Sequence, residues 1–274
     1  MNPLRKSVIA GSWYPGNPSI LKRDIENYFN SVSELKLKGE VVGLISPHAG
    51  YVYSGGVAAN AYQLIRGQNY DAVVIVGPSH RVAFHGVSVF SKGGFETPLG
   101  IIPIAEDLAE KIKKTSKIVA DIPDAHLQEH SVEIQLPFLQ VALGDFLFVP
   151  LVMGDQDANT CRQLAAAIYE AARGMKILIV GSSDLSHFYN YNAAKRMDAV
   201  ALKYLENGDA AGLLQSLENG EVEACGGGPM AVAMLVAQMM KADKAYLLKY
   251  ANSGDITGDK NSVVGYAAAV YCKE

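Results

Sequence analysis

The chain has few cysteines: Cys161, Cys225 and Cys272 among 274 residues, widely spaced and odd in number. That count excludes a disulfide framework and points to a reducing compartment, the cytoplasm. No apolar run reaches the roughly 18–20 residues that cross a bilayer, so no membrane association is expected. The opening MNPLRKSVIAGSW has no apolar stretch long enough for a signal peptide. Basic clusters are missing as well, and the formal net charge is -4, which argues against nucleic acid as a partner. Low-complexity segments, solenoid-length repeats and linkers rich in Pro and Ser are absent. What remains is a soluble globular composition, 49% hydrophobic and 19% charged, able to bury a large core. A single domain over 1–274 is expected.

Within that chain, apolar runs alternate with helical patterns. Strands are expected near 41–46, 72–77, 146–151 and 176–182, with closing strands near 244–251 and 262–272. Helices are expected over 54–67, 104–113, 130–142, 157–173, 191–206, 209–217 and 227–240, and Asn17 or Ser19 would cap another that follows Pro18. The stretch 86–104 reads as a hairpin at the sheet edge. This alternation predicts an α/β/α sandwich with a mostly parallel central sheet.

Three of the six histidines follow runs that read as central strands: VVGLISPH ends in His48, AVVIVGPSH in His80, and KILIVGSSDLSH in His187. Ligands in open α/β sheets sit outside the carboxyl ends of the strands, so these groups point to one site. Each histidine alone could be a turn residue bonded to backbone. Two imidazoles from adjacent strands can also converge on one ion. Asp184 lies beside His187 with Ser182 and Ser183, an arrangement suited to general acid–base work; Asp184 is expected to orient the imidazole. Tyr51, Tyr53 and Ser54 follow His48 and could line a pocket, Ser54 as a helix cap.

In DAHLQEHSVEIQLPFL, Glu129, His130 and Glu133 cluster at a helix start, and His130 is favoured over His126 as a site residue. The alternative is helix capping. His85 reads as a surface residue. Cys225, Gly226 and the following glycines precede an apolar helix, a position that favours thiolate and makes the sulfur a third ligand beside the two histidines. Cys161 and Cys272 read as structural.

Taken together, AGSWYP, SPHAGYVYSG, GPSHR, EHSVEIQLPFL, SSDLSH, CGGGP and SVVGYAAAV resemble the Memo family over nearly the whole chain. Its eukaryotic member is named as a mediator of ErbB-driven cell motility, and its prokaryotic members as AmmeMemoRadiSam system protein B. The resemblance implies a fold like the class III extradiol dioxygenases (LigB-like), which hold Fe(II) with two histidines and a carboxylate. By motif, His48 and His80 match those histidines, Cys225 replaces the carboxylate and His187 matches the base. The family name implies AMMECR-type and radical-SAM partner proteins. Three functions follow. One is a non-haem Fe(II) oxygenase-like enzyme acting on a small phenolic or chelating substrate, with copper or zinc as other metals. The second is a metal-binding or peptide-binding protein without turnover. The third is a thiol enzyme with Cys225 as nucleophile and His187 or His130 as base.

Overall fold

The computed structural model describes residues 3–33, 35 and 37–274. In chain order the elements begin β1 (Leu4–Arg5), α1 (Pro18–Asn30), β2 (Glu40–Ser46), α2 (Tyr51–Tyr62), β3 (Ala72–Pro78), β4 (Val87–Val89), β5 (Gly94–Thr97) and β6 (Gly100–Pro103). Next come α3 (Glu106–Thr115), β7 (Val119–Asp121), α4 (Asp124–Leu127), α5 (Leu136–Leu143), β8 (Phe148–Met153), α6 (Ala158–Ala171) and β9 (Ile177–Ser182). The chain closes with β10 (His187–Tyr189), α7 (Tyr191–Asn207), α8 (Ala210–Glu218), α9 (Gly227–Met239), β11 (Lys244–Asn252), α10 (Ser253–Thr257) and β12 (Val263–Lys273).

Among the described residues the main sheet has nine strands in the order β10-β12-β2-β9-β3-β8-β4-β7, with β11 beside β12. Its centre, β2-β9-β3-β8, is parallel. Antiparallel neighbours flank that centre, β12 on β2 and β4 on β8. The parallel centre arises because these strands are mostly apolar and, Glu40 aside, buried, as in the fully buried AVVIVGP of β3. Helix α9 covers β2, β9 and β3 on one face with α6 and α8 beside it, and α2 covers the other with α1 and α5. Asn17 caps α1 by accepting from the Ser19 and Ile20 amides, with Pro18 as the first helical residue. Cys161 and Cys272 are fully buried core thiols.

Three local expectations change. The stretch 86–104 is not one hairpin: Val87–Val89 joins the main sheet, while Gly94–Pro103 forms a hairpin that pairs with β1 in a separate three-stranded sheet. Helix α5 starts at Leu136 instead of 130, after a 3-10 turn over Glu133–Gln135. The amides of His130 and Ser131 go to the Glu129 carboxylate, so they leave the helical ladder, and Pro137 sits in the first turn. Helix α2 starts a turn early, at Tyr51; Ser54 lies inside it and donates to Ala49 O instead of capping.

Candidate metal centre

Strands β2, β9 and β3 are adjacent and parallel, so their carboxyl ends open on one edge. His48 lies just past β2, Asp184 just past β9, and His80 just past β3; Cys225 lies just ahead of α9, which packs on all three strands. The donor atoms of His48, His80 and Cys225 come within 4.8 Å of one another. Cys225 Sγ is 2.9 Å from His48 Nε2. The two imidazoles stand edge to face, 5.1 Å between centroids.

Each ring is held from behind through Nδ1, which leaves Nε2 as the ligand atom. His80 Nδ1 lies 2.9 Å from Glu129 Oε1, and His48 Nδ1 lies 3.0 Å from Ser182 Oγ. This is how proteins orient metal-binding histidines. The donor set of two imidazoles and one sulfur fits iron, zinc or copper and does not fit magnesium or calcium.

Gly77 explains why β3 ends in Gly-Pro. A Cβ there would sit 2.3 Å from Ser131 Oγ, so only glycine lets the 129–133 segment close against the strand. Ser131 Oγ then donates to Pro78 O. The approach brings Glu129 under His80 and stacks His130 on His80, 4.5 Å between centroids. His80, Glu129 and His130 form a second group of close donor atoms. That group is a poor cation site, because the Glu129 carboxylate already accepts the amides of His80, His130 and Ser131 as well as His80 Nδ1. Those N–H dipoles point positive ends at the oxygen a cation would need. Burial opposes ionisation of Glu129, but these donors hold its carboxyl down at about 2.

A family description, Memo-like protein, matches residues 5–270. The chain belongs to the Memo family. It is 35% identical to a MEMO1 family protein of Thermoplasma volcanium over 99% of both chains. It is 38% identical to one of Ignicoccus hospitalis over 98% of both. Among solved structures, an uncharacterized Escherichia coli K12 protein, JW3007, superposes with a TM-score of 0.56 at 16% identity, covering 84% of this chain and all of that one; this shows a shared fold alone.

In this Memo-family chain the two donor imidazoles open onto a cleft of about 410 Å³, with Cys225 behind His48. His48, His80, His130, Asp184 and His187 line it, with Trp13, Tyr53 and Tyr266 as aromatic walls. Burial, then the neighbouring His80, lowers His48 to about 3; burial, then His48, lowers His130 to about 3. Both rings are therefore neutral at physiological pH and able to ligate or accept a proton. Burial raises the Asp184 carboxyl to about 6, against the pull of the His48 amide 2.8 Å away.

Four expectations are corrected in place. Asp184 does not orient His187: its Oδ1 holds the His48 amide, and the carboxylate near His187 Nδ1 is Glu223, 3.9 Å away. Tyr51 does not reach the cleft: because α2 begins with it, its ring turns into the core and its hydroxyl donates to Ile134 O. Ser183 and Gly226 lie behind the site, bonded to each other, Gly226 N to Ser183 Oγ at 2.9 Å. Cys225 is no thiolate by itself: burial, then the Asp184 charge, pushes its thiol well up, outweighing the helix terminus. No helix of the described residues is long and apolar enough to cross a membrane.

Sequence reasoning missed Trp13, which packs 4.3 Å from His130, and the Arg5–Glu133 ion pair beneath it. The AGSWYP motif was the available signal for Trp13. The ion pair joins residues 128 apart and leaves no local signature.

Proposed function

We propose that the cleft is a mononuclear metal site held by His48, His80 and Cys225, serving a non-haem oxygenase-like enzyme. The observation that carries this reading is the convergence of the three donor atoms within 4.8 Å, both imidazoles being anchored through Nδ1. A bound Fe(II) would supply open positions for O₂ and a chelating phenolic substrate. The chain's own residues do the rest. Trp13, Tyr53 and Tyr266 flank a flat ligand and exclude water. His187, half-buried at the cleft, moves the substrate proton, and His130 accepts a hydrogen bond from it. The bound thiolate lies among two buried carboxyls, Glu129 and Asp184, and this negative surrounding favours a divalent ion over Cu(I). A reducing cytoplasm would keep the three cysteines free, as they stand here.

The thiol-nucleophile reading has the burial that raises the Cys225 thiol against it. A binding role without turnover retains one supporting feature, two exposed aromatic rings, Tyr53 of the cleft at 43% and Phe188 beside His187 at 75%. Anaerobic loading of the purified chain with Fe(II), followed by metal analysis and oxygen uptake with catechols, separates the two. One iron per chain and catechol-dependent uptake are expected, both lost in His48→Ala and His80→Ala. Unchanged iron content in those variants refutes the site, and stoichiometric iron without uptake for any catechol favours the binding role.

A further inference from the structure

Resting on that metal-site reading, we propose that Ser182 and Gln135 are positioning residues that fix His48 as its Nδ1–H tautomer, so that its Nε2 lone pair faces the cation. The argument is a count of protons along a chain of buried groups. Tyr62, Gln135 and Ser182 are each at most 1% exposed, so water does not complete their bonding. Gln135 Nε2 lies 3.0 Å from Pro47 O, and a carbonyl oxygen only accepts, so the amide nitrogen must face it. In that orientation the Tyr62 hydroxyl donates to Gln135 Oε1 at 2.7 Å. The other Nε2 proton goes to Ser182 Oγ at 2.8 Å.

Ser182 has one proton to give, and a second carbonyl takes it: Ser131 O, 2.6 Å away. Toward His48 Nδ1, at 3.0 Å, Ser182 Oγ can therefore only accept. The proton between them belongs to the imidazole. His48 Nε2 is left bare, 2.9 Å from Cys225 Sγ. The relay ties together the end of β2, the end of β9, the 131–135 turn and α2. It differs from the support of His80, where a carboxylate does the same work with a charge. A neutral relay orients a fully buried ligand without burying another anion beside it.

Long-range ¹H–¹⁵N correlation spectra of the histidine rings test this without any metal. The Cys225→Ala chain is the decisive sample, because neither a cation nor the thiol proton then acts on Nε2. We expect His48 there to be protonated at Nδ1, and Ser182→Ala added to that chain to shift the ring toward Nε2–H. In the otherwise native chain, Ser182→Ala should weaken Co(II) binding about 10- to 100-fold in chelator competition; its metal-free thermal transition should stay cooperative but fall, because Gln135 Nε2 and Ser131 O lose a buried partner. An Nε2–H ring in Cys225→Ala overturns the relay, as does a Ser182→Ala chain with unaltered tautomer and Co(II) affinity. A native chain that binds no Co(II) but keeps Nδ1–H at His48 upholds the relay and refutes the metal site instead.

Discussion

The two sides of the cleft are built by different physics. On one side, His48, Asp184 and His80 are aimed by the register of apolar parallel strands, which position themselves by burying both faces. On the other, Glu129 and His130 ride on an irregular segment that has no ladder of its own. A strap from the chain start holds that segment. Glu133 is fully buried and accepts from the Arg5 guanidinium, Ser7 Oγ, the Val8 and Ile9 amides and the Tyr14 hydroxyl. Arg5 in turn donates to the carbonyls of His126 and Glu129. One side is held by hydrophobic burial, which tolerates exchange of one apolar residue for another. The other depends on buried polar bonds, the largest share of them made by the Glu133 carboxylate, and is weakened most when that carboxylate is lost.

The sharpest break of this contrast is Glu133→Ala. It leaves the Arg5 charge buried without a partner, and we expect a loss of about 3–5 kcal/mol in chemical denaturation, together with loss of metal binding. A volume-conserving change in the strand half, such as Ile75→Leu, should cost less than about 1.5 kcal/mol. Comparable losses from the two would erase the distinction. Next comes Gly77→Ala, placed where the two halves touch. The added Cβ must push Ser131 away, for an expected cost of about 1–3 kcal/mol. Because His130 and Glu129 move with Ser131, affinity for Co(II) should fall as well. Retained affinity in a destabilised chain would show that the strand half holds the metal unaided.

A smaller effect is read through pH. His126 lies in α4, where the strap's Arg5 holds its carbonyl; Ser88, Phe90, Phe95, Arg5 and Glu129 surround its ring. Burial, then the Arg5 charge, lowers it from 6.5 to about 3. Between those values the unfolded chain binds a proton that the folded chain refuses, so stability falls as pH drops through that window, by up to ~1.4 kcal/mol per pH unit from this group. His126→Gln should lower the slope of stability against pH between 6.5 and 3 by one group's share, His48 and His130 supplying the rest. An unchanged slope would mean that His126 is not held neutral by the strap.

The same division explains what the sequence made legible. His48, His80 and Cys225 each stand at the end of a strong local signal, an apolar strand or a glycine-led helix, so their meeting could be expected. The pairs Glu129–His80, Glu133–Arg5 and Gln135–Ser182 join residues 49, 128 and 47 apart through polar contacts, and no periodicity marks them. Asp184 and His187 show the opposite error. Their spacing suggests a pair, but the chain turns away between them: Leu185 N bonds Gly265 O, and Ser186 N bonds buried Asp198. Tyr51 was misplaced by a single turn of helix, enough to swing a ring from cleft to core.

The smallest expected effect lies on the strand side, at Phe188. Its φ of 66° puts a non-glycine residue in the left-handed region, at the register shift between His187 and Tyr189. That conformation costs roughly 1–2 kcal/mol, and a side chain 75% exposed offers little packing in return. Phe188→Gly removes the strain, while the freer unfolded chain offsets part of the gain. A net stabilisation of about 0.5–1 kcal/mol is expected, with Co(II) affinity unaltered, since the strands and not this turn hold the ligands. Glu133 on the strap side allows no such substitution, because both of its carboxylate oxygens are bonded. If Phe188→Gly instead destabilises the chain, the phenyl ring itself, 5.6 Å from the His187 imidazole, is what holds that histidine at the cleft. The strand side would then depend on a side-chain prop as the strap side does.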